Sequence, residues 1–104
     1  MIRTFVLYGT PEDPAAFERH YRDVHIPIVR KMPHLKSFEM SRGPAAIGPQ
    51  GGEYHLVAIL SYESRKDMEA ALGSEAGKAA VADVANFATG GVSLVTADYE
   101  PVAL

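Results

Sequence analysis

The chain has 104 residues and a mass of 11.2 kDa, 47% of it hydrophobic and 22% charged, the make-up of one globular domain spanning residues 1–104. A net charge of −3 gives no electrostatic reason to expect nucleic acid, and no apolar run approaches the ~20 residues that a bilayer crossing needs. With no cysteine there is no disulfide, thiolate nucleophile or cysteine metal site; the opening lacks a long apolar segment, so no signal peptide is expected and the cytoplasm is the default compartment.

Ile2 to Tyr8 is rich in β-branched and aromatic residues and stops at the turn formers "GTPEDP", which predicts a first strand. Asp13 is a good N-cap and Pro14 a good first helical residue. Phe17, Tyr21, Val24 and Ile28 then follow the three-to-four spacing of a buried stripe, so a first helix is expected to about Met32, disturbed at Pro27. After Pro33 the period changes, and Leu35 to Arg42 reads as a second strand. "GPAAIGPQGG", residues 43–52, is expected to be a mobile connection. Glu53 to Tyr62 is the strongest strand, apolar on both sides and so expected to be covered on both. Ser64 with Asp67 three residues on opens a helix to Leu72; a second segment follows from about Ala76 to Phe87, and Val92 to Tyr99 is the last strand.

The order βαββαβ predicts an α+β fold: a ferredoxin-like subunit whose four-stranded antiparallel sheet carries both helices on one face. The other face then presents apolar side chains, either Phe5 and Leu7 or Val6 and Tyr8. A bare patch of that size calls for cover, and the simplest cover is the same face of a second copy, giving a homodimer through the open sheet face that curls into a dimeric α+β barrel.

Phe17-x-x-x-Tyr21-x-x-x-His25-x-Pro27-Ile28, then Pro33-His34-Leu35 leading into a strand, resembles the signature of the EthD-like family, and "VANFATGGVSLVTADYE" is similar to the family's closing segment. The resemblance implies a dimeric α+β barrel with a pocket between sheet and helices. It implies function only broadly, since the family and its wider relatives include lactone isomerases, enzymes acting on polyketide-like rings, and cofactor-free and haem-dependent oxygenases. His34 stands where relatives commonly have glycine.

His25 is the main candidate for chemistry. Pro27 cannot donate to the Asp23 carbonyl, and Ile26 is expected to be pushed from helical angles, opening the backbone so that the imidazole turns into the pocket. There it can take or give a proton near neutral pH. Tyr21, one turn earlier, and His55 are expected to hold a substrate oxygen, with Phe17 and Ile28 lining the site. His20 reads as a surface or flank residue, His34 as part of a turn, and Asp83 and Asn86 as solvated, with polar pocket residues as the alternative for those two. His20 and His25 lie about 140° apart on a regular helix, so they cannot share a metal; no metal site is expected. Ser64 to Gly90 contains no histidine, where haem-binding barrels of this type carry the axial ligand, and no glycine loop leads into a helix to cradle a nucleotide. No cofactor is therefore expected. Three readings stay open: a histidine acid/base enzyme acting on a hydrophobic metabolite, of isomerase, lyase or cofactor-free oxygenase type; a non-catalytic ligand-binding or accessory protein of a degradation pathway; and a structural dimer whose histidine only finishes a helix.

Overall fold

The computed structural model describes all 104 residues. Strand β1 (Ile2–Tyr8) leads to helix α1 (Pro14–His20), a π-helical turn (Tyr21–His25) and the short helix α2 (Ile26–Val29). Strands β2 (Ser37–Met40), β3 (Ala45–Ala46), β4 (Glu53–Tyr54) and β5 (Leu56–Tyr62) follow. Helices α3 (Arg65–Gly73) and α4 (Glu75–Asp83), a 3₁₀ turn (Val84–Asn86) and strand β6 (Val92–Asp98) complete the chain. The main sheet has the order β2-β5-β1-β6, and every pairing in it is antiparallel, as the ferredoxin-like order requires.

The helix starts are fixed by side chains that satisfy free backbone N–H groups. The Asp13 carboxylate accepts from the Ala16 amide, Ser64 from Asp67 and Ser74 from Gly77. The segment 43–52, expected to be a mobile connection, carries strand β3, which pairs with the start of the expected strand Glu53–Tyr62, Ala45 lying opposite Tyr54; that expected strand is divided into β4 and β5 around His55. The chain reaches β4 by pairing Ile47 and Gly52 through their backbones, with Gly51 and Gly52 at positive φ where only glycine is comfortable.

Cross-strand register decides which residues meet the helices. Val6 lies opposite both Ala58 and Leu94, and Tyr8 opposite Leu56 and Val92. Ile2, Thr4, Val6 and Tyr8 thus share the helix-covered face and are buried. Phe5, Leu7, Val57 and Ile59 point to the other face, which no helix covers, and are only partly buried. The expectation that this central strand is covered on both sides therefore fails within one subunit. The molecule is a slab of 39 × 36 × 18 Å, thin because it has only two layers, helix and sheet.

Between those layers the core falls into two groups. One is aromatic, built on Tyr8, Phe17, Tyr21 and Phe87; the other gathers Ile2, Val29, Met32, Tyr62, Ala71 and Ala80. Helix α4 approaches α3 closely enough that a Cβ on Gly77 would run into the Ala71 carbonyl and the Leu72 backbone.

Candidate active site

The first helix does not break at Pro27. Ile26 keeps right-handed helical angles (φ −55°, ψ −47°), and its amide donates five residues back to the Tyr21 carbonyl. The missing proline N–H is absorbed upstream by a widened turn rather than by a kink, which corrects the expected opening of the backbone at Ile26. Such i→i+5 turns recur at functional sites. Here the turn has a measurable effect on which side chains face inward. The buried stripe runs Phe17, Tyr21, His25, Val29, Met32, while Val24 is 40% exposed. Everything after Tyr21 has advanced by one residue relative to a regular helix.

That advance stacks His20 and His25, five residues apart, on one side of the helix, where both meet Asp83 at the end of α4. His25 Nδ1 lies 2.9 Å from one Asp83 carboxylate oxygen, and His20 Nε2 lies 2.8 Å from the other. Asn86 Nδ2 donates to the oxygen shared with His20 at 3.0 Å. A carboxylate only accepts, so the proton of His25 sits on Nδ1 and that of His20 on Nε2. The expectation of a solvated Asp83 is thus overturned, since it is 6% exposed, as is His25; His20 keeps its place on the flank and Asn86 its exposure, while each bonds to that buried carboxylate. Burial alone would raise the Asp83 carboxyl, but the bonds from Asn86, His20 and His25 outweigh it and hold it below its usual range. For His25 the balance runs the other way. Burial pushes it below its ordinary 6.5 against the pull of Asp83, so the ring is neutral at pH 7.

The remaining nitrogen of His25, Nε2, makes no hydrogen bond within the protein and opens on a cavity of about 360 Å³ between sheet and helices. Its walls are mostly apolar, with Val6, Val29, Phe38, Ala58 and Leu60 among them. Three tyrosines also line it: Tyr8, Tyr21 and Tyr62, each 1% exposed. None of their hydroxyls has a partner in the protein, and none is sealed off from space. Burial, first among the causes, drives the ionisation of all three upward, far above the ordinary range for Tyr8 and Tyr21, so they are O–H donors at any physiological pH. Leu72, Val81, Val92 and Leu94 line the cavity while remaining 36–64% exposed, and so form an apolar rim at its mouth.

Of the residues picked out in the sequence, His25 and Tyr21 come together, their rings 5.3 Å apart. Phe17 lies behind them, stacked on Tyr21 at 5.7 Å, and supports the wall without forming it. His55 is on the far side of Phe17, its ring edge-on at 4.8 Å, in a separate hollow shared with Glu18, Arg22 and Arg42. Ile28 faces a surface groove with Lys31 and Pro33; the one-residue advance gives its expected place to Val29. His34 sits in its turn at φ 62°, the left-handed region. Missing from the sequence reading were Asp83 as the anchor and Tyr8 and Tyr62 as donors. The signals existed: Asp83 is the one charged residue in the run "AAVADVANF", and Tyr8 shares its face with Ile2 and Val6. No group of three or more His, Cys, Asp or Glu side chains is arranged to hold a metal ion.

The profile of the EthD domain matches residues 10–91. An uncharacterised 11.0 kDa protein of the thcB-thcC intergenic region in Rhodococcus erythropolis is 40% identical over 102 residues, 98% of each chain. Among solved structures, an ethyl tert-butyl ether degradation (EthD) family protein from Bacillus halodurans superposes with a TM-score of 0.84 at 29% identity, covering 96% of this chain and 99% of that one. More distant structures share the fold alone. A dimeric ferredoxin-like protein of unknown function from Thermobifida fusca gives 0.70 at 16% identity over 94% and 90% of the two chains. SnoaB, a cofactor-independent oxygenase from Streptomyces nogalater, gives 0.67 at 12% identity over 97% and 94%. With most of its length inside the domain profile and a near full-length relative at 40% identity, the chain belongs to the EthD family.

Proposed function

We propose that the protein is an enzyme that moves a proton on a hydrophobic small molecule held between its sheet and helices, with His25 as the acid/base. The observation that carries this reading is the state of one ring: buried, neutral, fixed in one tautomer by Asp83, with Nε2 free toward an apolar chamber. A carboxylate behind a histidine orients the ring and stabilises the imidazolium once a proton arrives. The chamber has the volume of about a dozen waters, room for a one- or two-ring molecule, and its lower polarity strengthens every interaction made inside it. The deprotonated substrate then regains its proton at another carbon, as in an isomerase, loses a neighbouring group, as in a lyase, or meets dioxygen directly. The description of SnoaB as cofactor-independent supports keeping the last route beside the first two.

The assembly belongs to the same proposal. The chain exposes 6608 Å², against about 5,700 Å² expected for a monomer of its mass. The excess is close to the roughly 800 Å² that each partner contributes to a standard interface. Pairing the open faces of two sheets into a barrel covers Phe5, Leu7, Ile59 and Val95, and the Thermobifida fusca protein of this fold is described as dimeric.

The test is deuterium exchange by NMR into two carbon acids, 2-tetralone and α-angelica lactone, with wild type, His25→Gln and Asp83→Asn. Wild type accelerates exchange; His25→Gln loses about 10²–10⁴-fold, the usual weight of a general base. Asp83→Asn, which reverses the preferred tautomer, loses at least tenfold, with melting temperature checked for both. Equal rates in all three proteins rule out the enzyme reading, and tight binding without exchange supports a carrier instead.

A further inference from the structure

We infer that Tyr8 is a catalytic hydrogen-bond donor, placed to hold the oxygen on which negative charge gathers when His25 removes a proton, and that the substrate is accordingly a phenol or an enolisable aromatic carbonyl compound. The inference rests on the His25 reading and adds to it the group that receives the charge.

A base alone makes deprotonation of a carbon beside a carbonyl slow in an apolar chamber, because the electron pair left by the proton ends on oxygen and nothing there replaces water. Donors set in advance where that charge develops are commonly the largest single contribution to such a reaction. Among the side chains bordering this cavity, Tyr8 is suitably placed. It ends β1 on the helix-covered face, with its ring 5.8 Å from Tyr21 and 5.5 Å from Phe87. Phe87 is in turn 4.8 Å from the His25 ring. Tyr8 and His25 therefore flank the same two aromatic rings and open on the same space. The Tyr8 hydroxyl has no partner in the protein and is not sealed off from the cavity that the residue lines, so it is free to donate to a molecule that enters there. Its ionisation is sensitive, after burial, to Tyr21 and Asp83, which places its oxygen in the electrostatic field of the same cluster. Tyr62 is set apart in the second core group with Met32 and Ala71.

The step balances without a further reagent. The Cα–H bond breaks, its proton goes to His25 Nε2, and its electron pair forms the C=C bond as the carbonyl π pair moves to oxygen. The Tyr8 O–H donates to that oxygen without transferring its proton. Return of the proton from Nε2 to another carbon of the extended system regenerates the neutral imidazole. Asp83 keeps its charge throughout. A phenol needs only the first half of this sequence, its O–H giving a phenolate beside an imidazolium, and so makes a static probe.

The experiment uses 4-nitrophenol, whose anion and neutral form absorb differently. At pH 9 the probe is already an anion, so its affinity reads the donor alone. Tyr8→Phe is expected to weaken binding at least tenfold there, whether or not His25 acts as a base. At pH 6 the spectrum of the bound probe reads proton uptake by His25, with the anion form expected in wild type and the neutral form in His25→Gln. Unchanged affinity at pH 9 in Tyr8→Phe overturns the role of Tyr8 while leaving that of His25 intact; failure of wild type to bind the probe at pH 9 overturns it as well. If Tyr8→Phe does not fold, 3-fluorotyrosine placed at position 8 alone, a more acidic donor in the same shape, is expected to tighten binding at pH 9, and no tightening overturns the inference.

Discussion

At the scale of single residues, the site turns on two buried groups whose protonation is set in opposite directions. His25 is held below its ordinary 6.5, so between that value and its lower folded value the unfolded chain binds a proton that the native ring refuses. Its contribution to stability is therefore complete above pH 6.5 and falls as the pH drops through that window, by up to about 1.4 kcal/mol per pH unit for one proton. Asp83, depressed below its ordinary 3.8, contributes in the usual carboxylate sense: fully above 3.8, and lost as the pH falls through its folded value. Urea unfolding of wild type from pH 8 to pH 3 is expected to show two separate declines, and His25→Gln to remove the first while keeping the second. A single decline in wild type contradicts the assignment. His25 and Tyr21 were legible in the sequence because a motif placed them one turn apart. Asp83 was not, because it lies 58 residues from His25 and an acidic helical residue is ordinarily read as solvated.

At the scale of elements, capping chemistry made the helix starts legible: Asp13, Ser64 and a strand-to-helix change of period are local signals. The widened turn was not, because helical periodicity assumes about 100° per residue throughout and a single i→i+5 step shifts every later residue. That one step explains why Val24 and Ile28 left the buried stripe and why His25 and Val29 joined it. The turn at His34 is legible from the opposite direction. A non-glycine residue in the left-handed region carries about 1–2 kcal/mol of strain, and the side chain is half exposed, with only a 3.8 Å contact to Asp67 to hold it. His34→Gly, which puts there the one residue at ease in the left-handed region, is expected to stabilise the protein by about 1 kcal/mol after allowing for glycine's greater freedom when unfolded. Thermal melting should register this as a rise of about 4–8 °C; a fall shows that the imidazole holds the turn in place.

At the scale of the whole molecule, the order of strands and helices was sufficient to read the layers, while the choice of covered face was not. Both Phe5/Leu7 and Val6/Tyr8 are apolar pairs, and only the pairing register of β1 with β5 and β6, together with the helix contacts, sends the second pair inward. The first pair then lies beside Val95, itself 50% exposed, on the face proposed for dimerisation. Val95→Lys places a charge in that face without disturbing the helix-covered core. Light scattering is expected to report 11.2 kDa for the variant against twice that for wild type, with 4-nitrophenol still bound. Equal masses for both proteins defeat the pairing mode.

The chamber lies under the helices, on the opposite side of the sheet from Phe5 and Val95, and its apolar rim is formed by α3, α4 and β6. Two copies joined through their sheets thus carry their chambers back to back, each opening outward, with two layers of hydrogen-bonded strands between them. If the proposed pairing and chemistry hold, each chamber is expected to fill and react on its own, so that initial rates fit a hyperbola in substrate and a mixed pair with one His25→Gln half runs at half the wild-type rate.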